Sequence, residues 1–153
     1  MKLLSSQFKE RGIIPSRYTC EGANVSPPLE ISGVPKGAKS LVLIMDDHDV
    51  PKHLRADGVW DHWVVFNIPV STKQIEEGTN PKGVPGKTTY GHMKYGGPCP
   101  PNGEHRYLFK LYALDQMLDL KEGATKKEVE NAMKGHIIEE TQLVGFYEKG
   151  KGY

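Results

Sequence analysis

The chain has 153 residues, 37% hydrophobic and 25% charged, with a net charge of +1. That length suits one domain, residues 1–153, built around a single core, and the balanced charge gives no electrostatic footing for nucleic acid or an anionic membrane. No apolar run reaches the about 18 residues of a transmembrane helix, and the opening MKLLSSQFKERG lacks the apolar stretch of a signal peptide, so a cytoplasmic protein is expected.

In chain order, residues 11–35 are dense in turn formers. Ser40–Asp46 (SLVLIMD) is a short continuous apolar run and predicts a buried strand. A polar segment, Asp47–Asp61, leads to a second strand, His62–Ile68 (HWVVFNI), stopped by Pro69. Residues 71–94 predict mostly loop. The stretch YGGPCPPNGEHRY (95–107) excludes helix and central strand at its start, because proline removes a donor and fixes φ. It predicts a stiff irregular loop feeding a third strand, Arg106–Leu114. Thr125 and Glu128 have capping-box spacing, followed by Val129, Met133 and Ile137 on one helical stripe. The tail TQLVGFYEK sets Leu143, Gly145 and Tyr147 opposite Val144 and Phe146 and predicts a final strand. Strands dominate and helices are peripheral, a pattern that reads as a β-sandwich-like domain.

Acids and imidazoles gather at the predicted strand ends: Asp47, His48 and Asp49 after the first, Asp61 and His62 opening the second, His105 opening the third. Three such ends suit one shared pocket at one end of a sheet, or three separate solvated turns, which composition alone favours because Asp is a common turn residue. No HExxH or CxxC spacing marks a metal site, and none is expected; no cofactor is expected either. Cys99, wedged between Pro98 and Pro100, lacks the surroundings that activate a thiol. Ser26 has no GxSxG context, and there is no phosphate-binding GxxxxGK[ST] loop. Trp60 and Trp63 flank the start of the second strand as core or pocket wall. Two cysteines, Cys20 and Cys99, are too few for a disulfide scaffold. In a reducing compartment they are expected as thiols, and their spacing does not say whether they lie close together.

The segments CEGANVSPPL (20–29), LVLIMDDHDVP (41–51), DHWVVFNIP (61–69), YGGPCPPNGEHRYLFKLYAL (95–114) and MKGHIIEETQLVGFYEK (133–149) resemble, in order, the phosphatidylethanolamine-binding protein (Raf kinase inhibitor protein-like) family, and within it the bacterial and archaeal YbhB/YbcL-type branch. The resemblance implies a mainly β fold, a large central antiparallel sheet packed against a smaller sheet, with a few peripheral helices including one near the C-terminus. It also implies a small anion-binding cavity that takes phosphate-bearing headgroups in some members. The family's Asp-Pro-Asp-x-Pro motif falls on Asp47, His48, Asp49, Val50 and Pro51, with His48 in the place of the usual proline. Its pocket histidine matches His62, its Gly-x-His-Arg-Tyr motif matches Gly103 to Tyr107, and its Gly/Pro-rich wall matches Cys99, Pro100 and Pro101.

The expected ligand set is therefore Asp47, Asp49, Pro51, His62, Cys99, Pro100, Pro101, His105 and Tyr107. Bare carboxylates would repel a phosphate, so Asp47 and Asp49 are expected to orient and charge His62 and His105, leaving the imidazoliums, Tyr107 and loop N–H groups to hold the anion. Arg106 alternates to the other strand face, where it suits an ion pair. A small anionic ligand bound without catalysis is the expected function. The alternatives are a protein-interaction module, such as a serine protease or kinase inhibitor using the 71–94 loop, and a phosphoester hydrolase working through the Asp/His pocket. A protein target and a homodimer both remain open at this stage.

Overall fold

The computed structural model describes residues 1–153 and contains two sheets. The strands are β1 (Lys2–Leu4), β2 (Gly12–Ile13), β3 (Leu29–Ser32), β4 (Ser40–Asp47), β5 (Trp60–Ile68), β6 (Gln74–Ile75), β7 (Val84–Pro85), β8 (His105–Leu114) and β9 (Ile137–Tyr147), with a 3-10 turn at Ser16–Tyr18 and one α-helix, α1 (Lys126–Met133), before β9. The larger sheet runs β2-β9-β8-β4-β5-β7 and the smaller one β1-β3-β6. Every pairing is antiparallel except β2 with β9.

β4 is central and covered on both faces, which explains its unbroken apolar run. Leu41, Leu43 and Met45 face the smaller sheet with Trp63, Val65, Phe109, Leu29 and Ile31. Val42 and Ile44 face the opposite way, with Val64, Phe66 and the Val129–Met133 stripe of α1. The alternation continues past the apolar run. Asp46 turns to the helix side, where Lys110 and Lys126 each reach it at 3.0 Å. Asp47 turns to the smaller-sheet side.

β5 does not keep that alternation. Met45 pairs with Trp63, yet the next pair is Asp46 with Asp61, so His62 is an extra residue in the ladder. This bulge puts His62 on the same side as Trp63 and sends Asp61 to Lys126, 2.8 Å away.

The helix begins as its spacing predicts: the Thr125 hydroxyl accepts from the Glu128 N–H and Glu128 accepts from the Thr125 N–H. It ends earlier than the stripe suggests. Gly135 takes φ +80°, a left-handed stop, and Ile137 opens β9 instead. The segment 71–94 is tied into the scaffold: it supplies β6 to the smaller sheet and β7 to the larger. No helix is long and apolar enough to cross a membrane.

Candidate functional site

β4, β5 and β8 end together, and their last or first side chains line a cavity of about 350 Å³. Asp47, His62, His105 and Tyr107 form its polar part; Val50, Leu54, Trp60, Tyr90, Pro100 and Pro101 form its apolar walls, with Cys99 beside them.

Asp47 has both oxygens engaged. Oδ2 lies 2.6 Å from Nδ1 of His105, and Oδ1 accepts from the Asp49 N–H at 2.7 Å. The second bond is a side chain-to-backbone turn, and it forms with His48 in the position the family gives to proline. His48 itself points to the helix side, 3.1 Å from Asp46. Burial pushes the Asp47 carboxyl up, with His105 and the Asp49 amide pulling it back. Because the carboxylate can only accept, the His105 proton sits on Nδ1, leaving Nε2 for a bound molecule.

His62 is buried between two tyrosines, edge-on to Tyr90 at 5.6 Å and to Tyr107 at 5.3 Å. Its Nδ1 donates to the Gly96 carbonyl at 2.6 Å, so Nε2 is its free acceptor. Burial drives its pKa down to about 4, against the pull of the Gly96 carbonyl. His62 is thus neutral near pH 7, and the expected imidazolium is corrected: desolvation outweighs the nearby acids.

Tyr107 is fully buried in β8 and its hydroxyl has no hydrogen-bond partner. Burial raises this phenol far above its ordinary range, so it remains a donor. The Tyr90 hydroxyl is spent on the Gly97 carbonyl at 2.9 Å.

Seven of the nine residues expected from the sequence line the cavity: Asp47, His62, Cys99, Pro100, Pro101, His105 and Tyr107. Asp49 and Pro51 line a shallower groove beside it, with Asn102, Glu104 and Arg106. Asp49 is paired chiefly with Arg106. Its Oδ1 and Oδ2 take Nη2 and Nε of Arg106 at 2.7 and 2.9 Å, and that guanidinium holds its pKa below the ordinary carboxylate value. Of the two tryptophans, Trp60 lines the cavity and Trp63 is core. Val50, Leu54 and Tyr90 are lining residues that sequence reasoning missed. Val50 could have been found from its place inside the Asp-x-Asp-x-Pro turn; Tyr90, a lone aromatic in a Gly/Thr loop, carries no such signal.

The expectation of free thiols is also corrected. Cys20 and Cys99 form a disulfide with Cα atoms 5.4 Å apart, within the ordinary range. The loops meet because the Cys20 N–H donates to the Pro98 carbonyl and the Gly97 N–H to Asn24. A side chain at Gly97 would collide with Asn24 and the Tyr18 carbonyl. No group of three or more His, Cys, Asp or Glu side chains is arranged to hold a metal ion.

The sequence profile of the phosphatidylethanolamine-binding protein family matches residues 4–148. A UPF0098 protein of Methanothermobacter thermautotrophicus is 51% identical, covering 98% of this chain and all of its own length. One from Chlamydia pneumoniae is 47% identical over 97% of this chain and 99% of its own. Among solved structures, a phosphatidylethanolamine-binding-protein homologue of Chlamydia trachomatis superposes with a TM-score of 0.93 at 47% identity, covering 96% of each chain. E. coli YbcL superposes at 0.86 with 29% identity, covering 96% of this chain and 97% of its own. With the two-sheet topology and nearly the full length accounted for, the chain belongs to the phosphatidylethanolamine-binding protein family.

Proposed function

We propose that the cavity binds a phosphate-bearing small molecule, taken up as a proton-carrying monoanion and released chemically unchanged. The observation that carries this is the Tyr107 hydroxyl, a buried donor without a partner in the cavity that His62 also lines. Orphaned buried donors cost about 1–3 kcal/mol, a cost that an acceptor on a ligand removes.

The polar side is mixed in character. Tyr107 donates, neutral His62 offers an acceptor at Nε2, and His105 offers Nε2. A monoprotonated phosphate matches the first two, since its O–H can donate to His62 while another of its oxygens accepts from Tyr107, and Nε2 of His105 can accept from a donor on the phosphate's substituent. Both oxygens of Asp47 are already bonded, and the charge they keep favours a monoanion over a dianion. The apolar walls suit a carbon substituent on the phosphate. A binding role is favoured over hydrolysis because no side chain in the cavity is set up as a nucleophile with a base beside it.

Calorimetry with phosphoethanolamine between pH 5.5 and 8 tests the proposal. Affinity should fall by up to about tenfold per pH unit above the phosphate's second ionisation near pH 6, with about one proton taken up per molecule bound at the upper end. Phosphorus NMR of the same mixtures should show the ester intact. Affinity that is flat across this range, or steady release of inorganic phosphate, overturns the proposal.

A further inference from the structure

The wall of the cavity is held unevenly. Upstream of Cys99 the loop is fastened at every step: Tyr95 Oη donates to the Tyr18 carbonyl, the Gly96 N–H to the His62 carbonyl, the Gly97 N–H to Asn24, and the Pro98 carbonyl accepts from Cys20. Downstream, from Cys99 to Glu104, no backbone or side-chain hydrogen bond ties the segment to the rest of the chain. Fastening resumes at β8. The disulfide is therefore the one polar or covalent tie on a span that supplies Cys99, Pro100 and Pro101 to the cavity.

The other end of the bridge is a fixed post. Thr19 is buried, its N–H and its hydroxyl both donate to the Ser16 carbonyl, and Gly22 bonds back to Thr19. Both cysteines are themselves exposed, so a dissolved thiol can reach the bridge.

We propose that the Cys20–Cys99 disulfide is a thiol-sensitive latch that sets the grip of the pocket by fixing or freeing its Cys99–Glu104 wall. The inference rests on the cavity being the phosphate site proposed above. The reductant is a low-molecular-weight thiol of the glutathione class. Its thiolate attacks one sulfur, the Cys20–Cys99 bond breaks, and the other sulfur leaves as a thiolate that takes a proton from water. A second thiol then attacks the mixed disulfide, releasing the oxidised small molecule and leaving two protein thiols. Asp47, His62 and His105 are held by the sheet and their own hydrogen bonds, and Tyr107 by its place in β8; none depends on the bridge. Reduction thus loosens one wall and spares the polar groups. A wall that must be ordered on binding lowers affinity, here by about tenfold.

The test compares the oxidised protein, the protein reduced with glutathione, and the Cys20→Ser/Cys99→Ser double variant, each checked for a cooperative melt. Nitrogen-15 relaxation of the Asn102, Gly103 and Glu104 amides reads the wall without any ligand; calorimetry with phosphoethanolamine reads the grip. The expected result is fast motion of those amides in the reduced and variant proteins alone, an affinity about tenfold weaker, and recovery on reoxidation. Unchanged relaxation of residues 102–104 on reduction overturns the latch whatever the affinity. Equal affinity in both redox states with a loosened wall overturns the gating, and so does loss of the cooperative melt on reduction, which would make the bridge a structural staple. A loosened wall with no phosphoethanolamine bound in any state supports the latch and overturns the phosphate reading instead.

Discussion

His105 Nδ1 stands 2.6 Å from Asp47 Oδ2, with 5% and 4% of the two side chains exposed. The pair is made at the meeting of β4 and β8, where Asp47 lies directly opposite Tyr107 in the ladder. A carboxylate whose other oxygen is spent on the Asp49 amide has one task left, to hold the imidazole. In the proposed phosphate site Asp47 is thus a positioning residue, acting on the ligand through His105.

Asp47→Asn should therefore weaken phosphoethanolamine binding at least tenfold while the sheet stays intact. Replacing a buried charged partner leaves the imidazole poorly satisfied, at a cost of about 1–3 kcal/mol, visible in urea titration. Nitrogen-15 spectra of the His105 ring distinguish orientation from mere destabilisation: the variant should show a mixture of tautomers where the native protein shows the proton on Nδ1. A native ring spectrum together with native affinity in the variant refutes the positioning role.

Asp49 makes the complementary case. Its partner Arg106 has a side chain 56% exposed, and Asp49 is 26% exposed. Such pairs are worth at most about 1 kcal/mol. Asp49→Ala also removes the acceptor of the Arg106 N–H, 2.8 Å from Oδ2, so it should cost about 1–2 kcal/mol of stability and leave phosphoethanolamine affinity within about twofold. A tenfold loss of affinity would return Asp49 to the ligand set from which its geometry separates it.

What could be read from the sequence follows what each residue type signals locally. The buried runs of β4, β5 and β8 announced themselves by composition, and the Thr125 capping box by spacing. The polar side of the cavity was legible through the family motifs that Asp47, His62, His105 and Tyr107 match; the clustering of acids and imidazoles at strand ends fitted separate solvated turns at least as well. Other features depend on contacts far along the chain. The β5 bulge that re-aims His62 is a register event between two strands, invisible in either alone. The neutrality of His62 is a burial effect, and counting its acidic neighbours pointed the wrong way. Strands β6 and β7, two residues each, are too short to show periodicity. The helix stripe ran on to Ile137 because an apolar residue at i+8 fits either element, and only the left-handed turn at Gly135 decided between them. The Cys20–Cys99 bridge joins residues 79 apart, and an expectation drawn from compartment alone could not see that their loops share backbone hydrogen bonds.

The depressed pKa of His62 has a consequence for acid stability. In the unfolded chain the imidazole titrates at its ordinary 6.5, and in the fold at about 4. Between those values the unfolded state binds the extra proton, so stability is lost as pH falls through that window, by on the order of 3 kcal/mol in total. His62→Gln should remove most of this slope. Urea midpoints for both proteins at several pH values from 7 to 4 provide the check. Parallel curves would mean that folding leaves the His62 pKa near its ordinary 6.5, so that the ring becomes an imidazolium in the pocket below that pH.

Tyr107→Phe separates a structural from a binding role more cleanly than any other change. The hydroxyl is buried and unpartnered in the free protein, so deleting it removes a desolvated polar group and leaves the ring in place against His62. Stability should hold or rise, by up to about 1 kcal/mol, since an unsatisfied buried group carries a cost and no compensating bond. Phosphoethanolamine affinity should move the opposite way. A hydrogen bond to a charged group contributes about 1.5–3 kcal/mol, and its loss corresponds to roughly ten- to hundredfold weaker binding. A change that stabilises the fold and weakens the complex has no explanation in packing alone. If the variant is instead destabilised by 2 kcal/mol or more (roughly the cost of a broken internal hydrogen bond) and binds as before, the hydroxyl has a partner within the protein, and the observation that carries the phosphate proposal is gone.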